Sequence, residues 1–298
     1  MKAALAPFLL VLAACAAAAQ QEPRPLRVVT LGTVLAEIAR EVGGGAAAVT
    51  NLVEPGVDPH TFNPSPADIR RLVDADVVLA SGMGLESYLD RLVGGANPGA
   101  RVVAVGDALP VVISVPRAGT AGEKDPHWWH SIDDMVAAAD LVRSEFSRAR
   151  PQSADLFARN TLAYQRRLSA LRAWVLAEVG ALPPARRHLV TSHDAFAYFA
   201  RDYGFAIHPV SGLSTESEAD GRHLAALIDL IRREKIRAVF AESSANPRLV
   251  ANLLGETGAS LGGTLYADGL GPPGSAAESY EAMYRHNVLA IFAALSGP

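Results

Sequence analysis

Hydrophobic residues in the first half of the chain fall into short runs typical of buried strands, separated by stretches with helical spacing. The runs lie at residues 27–31, 49–53, 76–80 and 101–105, and the helical stretches at 33–42, 67–73 and 84–93. Strands that alternate with helices pair in parallel, because each helix carries the chain back to the start of the next strand. We therefore expect a mostly parallel sheet covered by helices.

The middle of the chain carries the longest helical pattern, after a shorter helix predicted from Ser131 to Arg148. Between Pro151 and Val179, apolar residues recur mostly at steps of three and four: Leu156, Tyr164, Leu168, Leu171 and Val175. A helix of this length spans about 40 Å. The pattern predicts a rigid connection between two halves of the molecule.

The alternation of strands and helices restarts beyond this helix. Strands are predicted at 188–192, 205–210, 238–241 and 260–266, and helices at 195–203, 222–235, 247–255 and 279–295. The fold class is therefore α/β, with two lobes of mostly parallel sheets flanked by helices and joined by one long α-helix. The predicted domains are an N-terminal lobe at 25–148, a linking helix at 151–180 and a C-terminal lobe at 185–298.

Residues 1–22 have the composition of an export signal, with an apolar run at 5–12 that is too short to span a bilayer. The segment Leu12-Ala13-Ala14-Cys15 resembles a lipobox, in which Cys15 is acylated and becomes the mature N-terminus. Cleavage by an ordinary signal peptidase within 16–20 is the alternative. Cys15 is the single cysteine of the chain, which favours the lipobox. We expect a protein of the periplasm or cell surface, with a possible lipid anchor at Cys15.

Composition excludes several partners and activities. The 298 residues carry a formal net charge of −4 and no basic stretch suited to a phosphate backbone, so nucleic acid is not an expected partner. The sequence also contains no Gly-Lys-Ser/Thr loop of the kind that binds ATP.

Three histidines and one carboxylate follow predicted strands or precede helices, where open α/β sheets place ligands. The triplet Asp58-Pro59-His60 recurs as Asp125-Pro126-His127, while His193 and Asp268 each follow a strand of the second half. Taken singly, His60 is compatible with a surface histidine and Asp268 with an ordinary loop carboxylate. Imidazole nitrogen and carboxylate oxygen are nevertheless the usual donors to zinc, at about 2.0–2.2 Å.

Ligating imidazoles need a hydrogen-bond partner that fixes their tautomer. Asp58, Asp125 and Asp194 stand beside the three histidines and are candidates for that role, or for turn and helix-capping roles instead. Glu242 ends a predicted strand at the same side of the second sheet as His193. It is either an outer partner of a ligand or a ligand itself.

Four segments carry a family resemblance: Pro55–Phe62, Asp125–Trp129, His193–Phe199 and Tyr266–Asp268. In this order they resemble the ligand segments of the zinc/manganese substrate-binding proteins of ABC importers, known as cluster 9 or helical-backbone metal receptors. The resemblance covers residues 26 to 295.

The resemblance implies four metal ligands, namely His60, His127, His193 and Asp268. It also implies a receptor, expected to be a monomer, that delivers its ion to a separate permease in the membrane. The chain departs from the family after its tryptophan pair, where His130-Ser131-Ile132 replaces the common Leu-Asp-Pro. Three roles are predicted for His130: an extra ligand, a residue that binds the ion transiently, or a neighbour that caps the following helix. Residues 114–124 lack the histidine-rich loop of many zinc-specific members, which weakens the case for a second scavenging site there and for zinc as the cargo.

Two other functions are compatible with parts of the pattern. A zinc hydrolase would need an open coordination position and a general base, for which Glu242 is the candidate. A binder of a metal chelate or siderophore would need arginines or aromatics around a larger cleft. The four-ligand set favours a binding protein over an enzyme, and its imidazoles favour Zn²⁺ over Mn²⁺ or iron as the cargo, with no catalytic cofactor.

Overall fold

The computed structural model of the protein describes residues 24–94, 97–115, 122–215, 217, 220–244 and 247–297. The predicted export signal, including Cys15, lies outside these residues, as does part of the loop before the second histidine segment. Among the described helices, none is long and apolar enough to cross a membrane.

The N-terminal lobe is built on a four-stranded parallel sheet in the order β2-β1-β3-β4. Its strands are β1 (Leu26–Thr30), β2 (Ala47–Asn51), β3 (Val77–Ala80) and β4 (Arg101–Ala104), and its helices are α1 (Thr33–Gly43), α2 (Pro66–Leu72) and α3 (Leu89–Val93). All four residues of β3 are buried, as expected for an inner strand covered on both faces.

Helix α3 is shorter than predicted, because it begins at Leu89 and not at Gly84. The cause is Glu86, whose buried carboxylate accepts hydrogen bonds from the backbone N–H groups of Ser81, at 2.6 Å, and Gly82, at 3.0 Å. These bonds satisfy the amides that follow β3 and hold the segment as a turn. The apolar spacing alone does not reveal this competition.

A small antiparallel hairpin follows, formed by β5 (Ser114–Val115) and β6 (Glu123–Lys124). No strand was predicted here, because two-residue strands are too short to show alternation. A 3₁₀ turn, Trp128–His130, then leads into α4 (Ile132–Ala149). Ser131 caps this helix, because its hydroxyl accepts from the backbone N–H of Asp134 at 3.3 Å.

Helix α5 (Ala154–Gly180) has 27 residues and a length of about 40 Å, as predicted. It packs against α1 and α4 of the N-terminal lobe and against the last helix of the C-terminal lobe. Its buried face consists of Phe157, Thr161, Tyr164, Leu168, Leu171, Val175 and Val179. Leu156 was predicted on this face but is only partly buried, and Phe157 takes the core position instead.

The C-terminal lobe repeats the architecture, with a parallel sheet in the order β10-β9-β7-β8. Its strands are β7 (His188–Thr191), β8 (Ala206–Pro209), β9 (Ala238–Glu242) and β10 (Ser260–Leu265), and its helices are α6 (Ala197–Tyr203), α7 (Gly221–Glu234), α8 (Pro247–Thr257) and α9 (Tyr280–Ser296). The predicted fold class of two α/β lobes joined by one long helix is confirmed.

One apolar core runs through both lobes and includes the buried face of α5. Hydrogen bonds between buried groups reinforce it at the lobe interface. The hydroxyl of Tyr280 donates to the carbonyl of Trp129 at 2.7 Å, and that of Tyr284 donates to the carbonyl of His130, also at 2.7 Å. Helix α9 is thereby tied to the segment that precedes α4.

The packing of α5 predicts a contrast between two of its leucines. Leu171 is fully buried, whereas Leu176 is 44% exposed. Leu171→Ala should lower the free energy of unfolding by about 2–5 kcal/mol, because it leaves a cavity in the shared core. Leu176→Ala should change it by less than about 0.5 kcal/mol. Urea unfolding of chelator-treated protein measures both, and equal losses would contradict the assignment of the buried face.

Candidate metal centre

The loop after β2 supplies His60, and both lobes hold this loop. The backbone N–H of His60 donates to Asp58 Oδ1 at 2.8 Å. The hydroxyl of Thr215, from the C-terminal lobe, donates to the other oxygen of Asp58. Asp58 therefore has a turn role, the second of its two predicted alternatives. The imidazole of His60 is only 6% exposed.

The segment between β6 and α4 supplies His127. Asp125 Oδ1 accepts from the backbone N–H of His127 at 2.9 Å and lies 2.7 Å from its ring Nδ1. Both side chains are fully buried. The hydroxyl of Tyr198, on α6, donates to the backbone carbonyl of Asp125 at 3.1 Å. The C-terminal lobe thus anchors the second ligand segment as well.

Three adjacent strands of the C-terminal sheet end at the same edge. Beyond β7 stands His193, β9 ends with Glu242, and beyond β10 stands Asp268. The carboxyl ends of parallel strands meet at one edge, which is where such sheets bind ligands. Glu242 Oε1 accepts from the backbone N–H of His193 at 3.2 Å, and its Oε2 contacts ring Nδ1.

The four candidate side chains converge on one point between the lobes. Nε2 of His127 lies 3.2 Å from Nε2 of His60 and 3.2 Å from Nε2 of His193. Asp268 Oδ1 lies 3.5 Å from Nε2 of His60 and of His127, and 3.3 Å from that of His193. Donors at about 2.0–2.1 Å from a tetrahedral ion are about 3.3–3.4 Å apart, so these distances match a shared ion.

Two carboxylates determine which ring nitrogen faces the centre. Asp125 and Glu242 accept from Nδ1 of His127 and His193, so Nε2 of each ring faces the centre. Metal ligation requires this orientation, with Nε2 deprotonated when the ion binds. Asp194, the third predicted partner, makes no hydrogen bond to a histidine of the described chain, and its backbone N–H donates to the carbonyl of Gly212 at 3.1 Å.

The two oxygens of Asp268 have different surroundings. Oδ1 is buried without a hydrogen-bond partner among the described residues, although it faces three imidazole nitrogens. Oδ2 accepts from the hydroxyl of Ser244. A buried carboxylate oxygen without a donor is unfavourable unless positive charge lies beside it. Sequence reasoning missed Ser244, although its position two residues beyond Glu242 places it at the ligand edge of the sheet.

Buried opposite charges shift the acidities of the centre. Burial opposes protonation of His193, but the charges of Asp268 and then of Glu242 outweigh it and raise the pKa of His193 well above its ordinary value. Burial acts likewise on His127, and the hydrogen bond to Asp125 still raises its pKa. For Asp268, burial acts upward, yet the charge of His193 and the close contacts with the imidazole nitrogens hold the pKa well below its ordinary value.

His130 stands apart from the four donor atoms. Its Nε2 lies 2.9 Å from the carbonyl oxygen of Ala267, and its ring packs against Phe196 at 4.3 Å between centroids. Burial lowers the pKa of His130 to about 3, so the ring is neutral and donates to that carbonyl. Of the three roles predicted for His130, these contacts fit the neighbour of the helix start. The remaining histidines contact other groups: His188, His208, His223 and His286.

Two surface cavities reach the centre. His60 lines one of about 450 Å³, together with Met83, Pro126 and Leu213. Asp268 lines another of about 170 Å³. His60 and Asp268 are thus two candidate ligands that also line surface cavities.

Comparison with known proteins decides the family. The model of a family described as "Zinc-uptake complex component A periplasmic" (ZnuA) matches residues 28–294. The chain belongs to the ZnuA family. The predicted resemblance to metal receptors of ABC importers is thereby confirmed, and the ZnuA family consists of solute-binding receptors and not of enzymes.

Individual relatives align over almost the whole chain. The manganese-binding lipoprotein MntA of Bacillus subtilis is 38% identical and covers 93% of this chain and 92% of its own length. The zinc-binding protein TroA of Treponema pallidum is 33% identical, with 93% and 91% covered. The structure of periplasmic TroA superposes with a TM-score of 0.85, at 32% identity, and covers 92% of this chain and 99% of its own.

The coupling of charges in the metal-free centre predicts a pH effect. A histidine with a raised pKa stabilises the folded state fully below its unfolded pKa of about 6.5. This stability is lost as the pH rises through the raised pKa of His193. Asp268→Asn should lower that pKa and flatten the stability profile above pH ~6.5. Histidine NMR titration and thermal unfolding in chelator test this, and an unchanged His193 titration would contradict it.

Proposed function

We propose that this protein is an exported receptor that captures one divalent transition-metal ion between its two lobes and delivers it to an ABC importer. His60, His127, His193 and Asp268 are the ligands in this proposal. The observation that carries it is the convergence of their four donor atoms within 4.8 Å of one another. Two ligands come from each lobe, so capture of the ion joins the lobes.

The closed ligand set separates this function from its two rivals. A catalytic zinc keeps a coordination position open for water, whereas four protein groups complete a tetrahedral shell. Glu242, the candidate base of a hydrolase, is already engaged with the imidazole of His193. Donor atoms that all lie within 4.8 Å of one another leave no room for a chelate or siderophore between them.

We propose Zn²⁺ as the cargo, with Mn²⁺ as the alternative. Three imidazoles suit zinc, while manganese prefers carboxylate, carbonyl and water oxygens. The relatives do not decide between these metals, because their names describe MntA as manganese-binding, TroA as zinc-binding and YfeA of Yersinia pestis as iron-binding. The donor set of this chain is therefore the argument for zinc.

Export and anchoring are part of the same proposal. Residues 1–22 act as the signal, and acylation of Cys15 holds the mature protein at the membrane surface beside its permease. The lipoprotein names of several relatives support this view. The mature receptor acts as a monomer with lobes at 25–148 and 185–298 and a linking helix at 151–180.

Loss of a ligand should abolish tight binding. Isothermal titration of chelator-treated protein should give one Zn²⁺ per chain. His127→Ala and His193→Ala should weaken binding by at least about 100-fold, the upper end of what loss of an outer partner alone costs. His223→Ala is the matched control, since this exposed histidine on α7 donates to the carbonyl of Pro209 and lies outside the centre. Retained affinity in both ligand variants would overturn the proposal.

The cargo should be identifiable in the native protein. Elemental analysis of protein purified from its own compartment should find zinc, and competition between Zn²⁺ and Mn²⁺ should favour zinc because of the imidazole donors. Stoichiometric manganese in the native protein would instead select the alternative cargo. Absence of any bound transition metal, with no binding on titration, would remove the receptor function.

A further inference from the structure

The loop that carries Asp268 is fixed from several sides before any ion arrives. The backbone carbonyl of Ala267 accepts from Trp129 Nε1 at 2.8 Å and from His130 Nε2 at 2.9 Å. On the other side of Asp268, the backbone N–H of Leu270 donates to Thr33 Oγ1 at 2.7 Å. With both flanks of the loop held by the N-terminal lobe, the remaining freedom of Asp268 is rotation of its side chain.

A single hydroxyl restrains that rotation among the described contacts. Oδ1 of Asp268 faces the three imidazole nitrogens at 3.3–3.5 Å, while Ser244 Oγ donates to Oδ2. Ser244 stands in the loop after β9, two residues beyond Glu242, so the sheet edge that positions His193 also positions this hydroxyl. Because Oδ2 of Asp268 accepts the hydrogen bond from Ser244, one of its lone pairs points to Ser244 and away from the metal centre.

The number of carboxylate oxygens that reach an ion changes its coordination number. One oxygen plus three imidazoles gives four ligands, the usual number for zinc. Two oxygens give five, which approaches the higher, oxygen-richer coordination that manganese takes. Whatever holds Oδ2 away from the ion therefore favours zinc over manganese.

From this geometry we infer that Ser244 is a positioning residue that keeps Asp268 monodentate and so biases the centre towards four-coordinate ions. The inference rests on the proposed function, because it assumes that Asp268 binds the ion. It predicts that loss of the hydroxyl lets Oδ2 turn to the ion, so that coordination rises and the preference for zinc over manganese falls.

Cobalt(II) absorption tests the inference directly, since four-coordinate Co²⁺ absorbs strongly in the visible range and ions of higher coordination absorb weakly. Wild-type protein should give the intense spectrum. Ser244→Ala should weaken the bands and lower the ratio of zinc to manganese affinity by about tenfold, the scale of outer-partner effects. Ser244→Thr keeps the hydroxyl and should restore the wild-type spectrum. Ser243→Ala, at the exposed neighbouring position, is the matched control.

The outcomes separate this inference from the function on which it rests. If Ser244→Ala binds Co²⁺ with an unchanged spectrum, the hydroxyl does not set the coordination number, and the inference is wrong while the receptor stands. A Ser244→Thr protein that behaves like Ser244→Ala would also overturn it. If wild-type protein binds no Co²⁺, Zn²⁺ or Mn²⁺ at all, both the proposed function and this inference are wrong.

Discussion

Four electron-pair donors that are almost completely buried and lie within 4.8 Å of one another repel unless positive charge lies between them. Without an ion, protons on the imidazoles relieve this repulsion, in line with the raised pKa values of His127 and His193 and the depressed pKa of Asp268. A divalent ion relieves it with two charges and displaces those protons. The centre is therefore organised for a cation before the cation arrives, and the surrounding hydrogen bonds hold it in that state.

The scaffold accomplishes this by letting each lobe position the ligands of the other. Trp129 and His130, from the N-terminal lobe, hold the carbonyl of Ala267 beside Asp268, while Tyr198 of the C-terminal lobe holds the carbonyl of Asp125 beside His127. The shared core along α5 gives these contacts a common framework. Because hydrogen bonds from each lobe hold ligand segments of the other, a change in the relative placement of the lobes must disturb all four donors together.

The residues differ in how far their roles could be predicted from the sequence. Apolar spacing predicts α5 and the two sheets, because burial imposes a period that the sequence must carry. Apolar spacing mispredicts the start of α3, because the buried carboxylate of Glu86 accepts hydrogen bonds from the backbone amides that follow β3. The ligand histidines stand in recognisable segments, and the position of Glu242 at a strand end predicted its place beside His193. The contact of Ser244 with Asp268 crosses 24 residues of sequence. A lone serine in a loop has no periodicity, so only the fold shows what it contacts.

Charge alone cannot select the metal at this centre. The carboxylates of Asp268, Asp125 and Glu242 place three acidic groups on or behind the ligands, against the two charges of any divalent ion. The negative charge of these carboxylates stabilises zinc, manganese and iron(II) equally, since the three ions carry the same charge. Discrimination must then come from donor type and coordination number. Relatives whose names describe zinc, manganese and iron binding are consistent with a choice of metal that does not rest on charge.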